Sequence, residues 1–360
     1  MKHRMQQLLL AGTTLLFFAC ASTTPPIVDQ AGVQVETGIA MFEKVILGGL
    51  EQTILIRTHD PASPVLLFLH GGPGSPETPI VVHFNKELEK HFVVVNWDQR
   101  GAGKSFSKKI PEESFTIDQF VEDTHQLVIW LKQRFDQEKI FLVGHSWGSG
   151  LGMYVVEKYP EDFHAFVGTG QIADMRRNEM LSYEFVLEQA RQADHKKAIK
   201  QLEKIGYPEN GEYKDGLKGL MTQRKWLTKF GGFLYGESSM KPVIQVYSRS
   251  TEYTFFDMIK FLKGSRRSIK LLWGELMEIN LIEQVPAVKI PVYFVMGRHD
   301  YNVPFVLAEE YFNQLQAPYK EFIWFENSAH SPPFEEPDKF HRLMIEKVLP
   351  DNLPSADDAR

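Results

Sequence analysis

A single cysteine, Cys20, stands in the whole chain. One thiol cannot close an intrachain disulfide, and it cannot build a Cys-based zinc site. No HExxH occurs, and the 12 histidines show no paired helical spacing that points to a metal, so neither metal nor cofactor is expected. Basic charge is in deficit: 40 Lys and Arg against 46 Asp and Glu leave a net charge of −6. That balance supplies no basic field to hold nucleic acid or an acidic membrane surface. Internal repeats are absent, as are low-complexity tracts outside one short Pro/Thr-rich stretch. What is present, 43% hydrophobic and 24% charged residues over 360 positions, is the make-up of a soluble globular protein with a large core. The 26 phenylalanines suggest an aromatic-lined cavity, although most of them are expected simply to fill that core.

Residues 1–21 are not expected to belong to the fold. Lys2 and Arg4 precede an apolar run from Leu8 to Ala19, followed by small residues. This is the layout of a secretory signal peptide, and the run is short for a membrane span. Ala19-Cys20-Ala21 allows cleavage after Ala21. Alternatively, the segment ending at Cys20 resembles the lipobox of bacterial lipoproteins, in which the cysteine is acylated and becomes the first mature residue. Phe17 and Phe18 depart from that pattern, but the position of the sole cysteine favours it. An uncleaved anchor is the third option. The resemblance implies an exported protein held at a membrane only through a lipid on Cys20, with periplasmic or secreted protein as the alternative. Residues 22–38 then read as a tether, Pro/Thr-rich from Ser22 to Gln30.

From about Ile39 the pattern is that of a folded domain. Met41–Leu47 and Gln52–Arg57 flank Gly48-Gly49 and predict a β-hairpin. Short, continuously apolar runs follow at 65–70, 92–97, 140–144, 166–170, 291–297 and 321–325. Continuous rather than alternating apolarity marks strands buried on both faces, as in a parallel sheet covered by helices. Between them lie amphipathic stretches: Asp118–Phe135 with Thr116 as N-cap, Val303–Leu315 and Pro337–Val348. The alternation predicts an α/β, mostly parallel doubly wound sheet. Its rhythm breaks over 171–286, where Tyr183–Ala198 and Thr251–Lys263 read as helices. That span is expected to form a helical cap over an α/β core made of 39–170 and 287–350.

Gly144-His145-Ser146-Trp147-Gly148 is G-x-S-x-G between a buried strand and a helix-like run. A nucleophile on such a sharp strand-to-helix turn needs flanking residues without side chains. A serine hydroxyl also needs a base, and in this chain order an acid and a histidine should follow it. Asp300 ends the strand run at 291–297, and His330 follows the one at 321–325. In a parallel sheet both would emerge on the edge where ligands bind. Ser146, Asp300 and His330 are therefore the expected triad, with Asp98 as the runner-up acid. His299, beside Asp300 on the same strand end, cannot easily face it. The developing oxyanion needs backbone donors. The N–H of Trp147, at a helix N-terminus, is one, and the Gly/Pro loop His70–Gly74 should offer the other through Gly72. Serine at the elbow excludes aspartyl-nucleophile chemistry.

HGGPG (70–74), DQRGAGKS (98–105), GHSWG (144–148), GRHD (297–300) and NSAHSPPFEEP (327–337) together resemble the proline iminopeptidase group of α/β-hydrolases, from about residue 40 to 350. The resemblance implies the α/β-hydrolase fold, the same triad and the same oxyanion donors, with Asp98 and Arg100 bracing the oxyanion loop. It also implies release of N-terminal residues from short peptides, whose α-ammonium would be held by cap glutamates. The Trp-Glu pair often found in those caps is missing here, so the substrate-binding residues stay unassigned. Glu184, Glu237, Glu252, Glu275 and Glu278 are the candidates, and Trp226, Phe230, Phe233, Tyr235, Phe255 and Phe256 could wall a pocket. An esterase, amidase or lactonase acting on small apolar acyl compounds is the alternative, and a non-catalytic binding module a more remote one.

Overall fold

The computed structural model describes residues 23–353. Its strands are β1 (Ile39–Leu47), β2 (Leu50–Thr58), β3 (Val65–Leu69), β4 (Val93–Asp98), β5 (Ile140–His145), β6 (Phe163–Thr169), β7 (Val292–Gly297) and β8 (Lys320–Phe325). They form one eight-stranded sheet in the order β1-β2-β4-β3-β5-β6-β7-β8. The pairs β1/β2 and β2/β4 are antiparallel, and every pairing from β4 to β8 is parallel. Gly48 and Gly49 make the β1–β2 turn, both at positive φ, as a two-residue hairpin requires.

Continuous apolarity has the expected cause. Along β3, Val65, Leu67 and Leu69 enter one core cluster, whereas Leu66 and Phe68 enter another on the opposite face. Helices cover both faces: α1 (Thr78–Phe84), α2 (Ile117–Phe135) and α3 (Trp147–Lys158) follow the early strands. Thr116 caps α2 by accepting from the Gln119 N–H at 3.2 Å.

Between β6 and β7 the chain is helical: α4 (Met175–Gln192), α5 (Lys196–Ile205), α6 (Leu217–Lys229), α7 (Lys241–Arg249), α8 (Phe255–Met277) and α9 (Leu281–Gln284). This insert leaves and re-enters the sheet at one point, because the Met175 N–H donates to Ile279 O and the Leu281 N–H to Ala173 O. It has a core of its own, including Tyr183, Val186, Leu202 and Trp226. After β7 come α10 (Phe305–Gln314) and, beyond β8, α11 (Pro332–Glu335) and α12 (Pro337–Arg342). The single helix expected over Pro337–Val348 is thus interrupted, with a π turn at Leu343–Val348.

The segment expected to be a tether departs from expectation from Thr23 onward. The Thr23 N–H donates to Thr251 O, Arg57 donates to Thr24 Oγ1 and Pro25 O, and Ile27 is buried. A Pro/Thr-rich composition marks extended backbone, and here that backbone is strapped to the sheet and to the turn before α8. The signal-like segment, with Cys20, lies outside the described residues. No helix among the described residues is long and apolar enough to cross a membrane.

Candidate active site

The elbow after β5 is tightly imposed. Ser146 has φ 54° and ψ −119°, a strained conformation for a residue with a side chain. Its N–H donates to Thr169 O at 2.9 Å, and its carbonyl accepts from the Ser149 N–H at 2.8 Å. A Cβ on Gly144 would lie 2.3 Å from Gly148 O, and one on Gly148 would lie 2.1 Å from Leu69 O. Only glycine fits at either place, which is the physical content of the G-x-S-x-G motif.

Strands β7 and β8 are parallel neighbours, so the loops after them meet. Asp300 Oδ2 accepts from His330 Nδ1 at 2.9 Å. Asp300 Oδ1 accepts from the N–H groups of Asn302 (2.9 Å) and Val303 (2.8 Å). Both Asp300 and His330 are buried. Ser146 and His330 line one cavity of about 470 Å3, yet no hydrogen bond joins them in this structure. His330 Nε2 instead accepts from Asn302 Nδ2 at 3.0 Å. His299 packs its ring on Tyr235, 4.5 Å between centroids.

Gly72, at φ 119°, and Trp147, the first residue of α3, line the same cavity. Neither N–H has an acceptor among the described residues. The Gly71 N–H is by contrast turned toward Glu77 Oε1 at 3.4 Å. Two unengaged donors on the Ser146 cavity are what an oxyanion would need.

The expected bracing by Asp98 and Arg100 is corrected. Asp98 accepts from Thr78, Tyr253 and the Lys104 N–H, and Arg100 is paired with Asp123 at 2.8 Å. Neither side chain hydrogen-bonds to the oxyanion loop. Gln99 between them does: its N–H donates to His70 Nε2 (3.2 Å), and its Nε2 donates to His70 O (3.1 Å). Its Oε1 accepts from Trp147 Nε1 (3.0 Å), so one buried amide ties the loop to the elbow. His70 is neutral in this role: burial lowers its pKa, Nδ1 donates to Gly71 O and Nε2 accepts. Asp98 is far from the triad in bonding terms, and burial outweighs its three donors to raise its pKa.

His145 behaves oppositely. Nδ1 donates to Glu77 Oε1 at 2.6 Å and Nε2 to His330 O at 2.9 Å, and only the charged imidazolium has both N–H groups. Burial opposes that charge most strongly of any single cause, but the Glu77 carboxylate, the His330 carbonyl and Asp300 together outweigh it and raise the pKa.

The insert contributes residues that sequence reasoning missed. Asn178, Glu179 and Arg224 line the Ser146 cavity, and Arg224 Nη2 donates to the buried Glu179 Oε1. Asn178, Glu179 and the neighbouring Asn302 each keep one buried oxygen without a hydrogen-bond partner, Asn178 Oδ1, Glu179 Oε2 and Asn302 Oδ1. Of the glutamates proposed from sequence, Glu184, Glu252, Glu275 and Glu278 are engaged elsewhere, with Tyr207, Ser250, the Ile117 N–H and Arg176. Glu237 lines an adjoining apolar cavity of about 290 Å3, which meets the first at Ser75, Glu77, His145, Phe233 and Met240. Phe255 and Phe256 do not wall either cavity; they are 75% and 60% exposed at the start of α8. No cluster of metal-binding side chains occurs among the described residues.

This fold, with a serine on a strained turn and an Asp–His pair at neighbouring strand ends, defines a hydrolase, and the chain belongs to the α/β-hydrolase family. Residues 64–337 match that family, described as the alpha/beta hydrolase fold. A Bacillus subtilis (strain 168) protein named probable aminopeptidase YbaC is 37% identical over 308 residues, 85% of this chain and 95% of that one. A proline iminopeptidase of Saccharolobus solfataricus is 24% identical over 294 residues, 79% of this chain and 84% of that one. Among solved structures, a Mycobacterium smegmatis proline iminopeptidase superposes with a TM-score of 0.61 at 18% identity. It covers 87% of this chain and 99% of its own, which shows a shared fold. The resemblance to the proline iminopeptidase group therefore holds.

Proposed function

We propose that the protein is a serine aminopeptidase that releases N-terminal residues from short peptides through an acyl-enzyme. Ser146 Oγ attacks the scissile carbonyl while His330 takes its proton, and Asp300 holds the imidazole. The oxyanion is held by the N–H groups of Gly72 and Trp147. His330 then protonates the departing amine, and water hydrolyses the Ser146 ester by the reverse relay. The names of the relatives point to a free N-terminus, and one observation supports it independently. Asn178, Glu179 and Asn302 line one cavity and each keeps a buried oxygen without a partner, Asn178 Oδ1, Glu179 Oε2 and Asn302 Oδ1, while an α-ammonium brings three N–H donors. A buried polar atom without a partner is costly, so these oxygens favour a ligand that supplies N–H donors.

A second reading has its own support: the adjoining cavity is lined largely by apolar side chains such as Ile80, Phe84, Val243 and Phe334, suited to the acyl chain of an ester. The two are separated by assaying proline, alanine and leucine arylamides, their N-acetylated forms and short acyl esters. The aminopeptidase reading expects the free arylamides to be cleaved and the acetylated ones to resist. Equal rates on both would end it. We further propose that the protein is exported and anchored through an acylated Cys20.

A further inference from the structure

Asn302 is joined to both the acid and the base. Its backbone N–H donates to Asp300 Oδ1, and its side-chain Nδ2 donates to His330 Nε2 at 3.0 Å. With the His330 Nδ1 hydrogen directed to Asp300 Oδ2, the neutral imidazole has one lone pair, on Nε2. General-base catalysis needs that lone pair for the Ser146 hydroxyl. In this structure the Asn302 amide occupies it, and Ser146 makes no hydrogen bond to His330. Asn302 lines the cavity that Ser146, Asn178 and Glu179 share, and the other end of its amide, Oδ1, is buried and unpartnered. One planar group thus faces the base with its donor and has its acceptor unused.

We propose that Asn302 is a positioning residue that restrains His330 until a ligand bearing N–H donors engages Oδ1. Turning the amide toward such a ligand carries Nδ2 away from Nε2, and the lone pair becomes available to Ser146. The inference rests on reading Ser146, Asp300 and His330 as the catalytic triad. It makes a substrate's ammonium act on the readiness of the nucleophile as well as on affinity, so that unsuitable acyl compounds meet an idle base. A purely structural asparagine, bridging the loops after β7 and β8, would do nothing of the kind, and its removal would only loosen the triad.

The test is the rate at which a fluorophosphonate labels Ser146 in the full chain, with and without methylammonium chloride. Tetramethylammonium chloride, which has the charge but no N–H, serves as the control. Asn302→Ala should label about two- to tenfold faster than wild type, the range set by losing one competing hydrogen bond. Methylammonium should accelerate wild type by a similar factor, tetramethylammonium should not, and the variant should respond to neither. If Asn302→Ala folds poorly, Asn302→Leu fills the space without a donor and carries the same expectation. Labelling of either variant at or below the wild-type rate, or equal acceleration of wild type and variant, would overturn the proposal. Failure of the triad reading shows separately, as labelling that survives in Ser146→Ala.

Discussion

Replacing Asp300 with Asn exchanges one oxygen for an NH2, and the structure decides which way the amide must sit. Oδ1 accepts from two backbone N–H groups, at 2.9 and 2.8 Å, in a fully buried position. An NH2 placed there would leave both donors unsatisfied, at about 1–3 kcal/mol each, or about 2–6 kcal/mol together. The amide therefore keeps its oxygen on the backbone and turns its NH2 to His330 Nδ1. Nδ1 must then accept, the imidazole hydrogen moves to Nε2, and the lone pair that Ser146 needs is gone. Recovering the productive tautomer requires the unfavourable flip, a factor of about 30 to 10^4 in population. Asp300→Asn should thus lower kcat/KM by about 10^3–10^4, in line with removal of a triad acid elsewhere, with fluorophosphonate labelling falling in parallel. Thermal melting should be nearly unchanged. Asp98→Asn is the control: its partners are Thr78, Lys104 and Tyr253, so it should lower Tm and spare activity per folded molecule. An Asp300→Asn enzyme within tenfold of wild type would refute the reasoning, and a crippled Asp98→Asn enzyme would hand the acid role to Asp98.

Gln99→Leu strands the Trp147 indole N–H and the His70 carbonyl, which should lower Tm and reduce kcat while KM changes little; an unaltered kcat would show that the loop holds itself. The His145–Glu77 pair makes stability pH-dependent. Because the folded pKa of His145 is raised, the pair's contribution is complete below the ordinary histidine value of about 6.5 and is lost as pH rises through the raised one. The Tm gap between wild type and Glu77→Gln should therefore be widest near about pH 6 and narrow in alkali, and a gap that widens with pH would contradict the assignment. On the proposal that Cys20 carries a lipid, Cys20→Ser should shift the protein from the membrane to the soluble fraction, where an unchanged distribution would favour a simple signal peptide or an uncleaved anchor.

What was legible in the sequence had local causes. Ser146 and its glycines are demanded by backbone geometry within five residues, and Asp300 and His330 announce themselves by standing just past buried apolar runs. The insert hid its contribution because its polar residues act over distance. Glu179 is buried only because Arg224 pairs with it from another helix, and no helical periodicity encodes such a pair. Exposed Phe255 and Phe256 misled for the converse reason: aromatic character does not say which way a ring faces. Helix boundaries slipped where capping overrode pattern. Thr254 and Asp257 form a capping box that starts α8 at Phe255, not at Thr251. The expected end at Lys263 failed as well, because Gly264 continues the helix, giving close passage to Gly101 O instead of a stop. His195 caps α5 and splits the single helix expected over Tyr183–Ala198.

The two hydrogen bonds that clasp Ala173 and Met175 to Ile279 and Leu281 separate the history of the insert from that of the sheet. The entropic cost of closing a loop rises only with the logarithm of its length. Once the two ends are clasped, lengthening, shortening or recasting the helices between them hardly disturbs the register of β6 on β7. The helices also bury apolar residues against one another, so they can be remodelled around their own core. Selection can therefore rewrite the wall that carries Asn178, Glu179 and Arg224 without touching the strands that deliver Ser146, Asp300 and His330. Relatives with unlike substrates and a common chemistry are the natural outcome of that division.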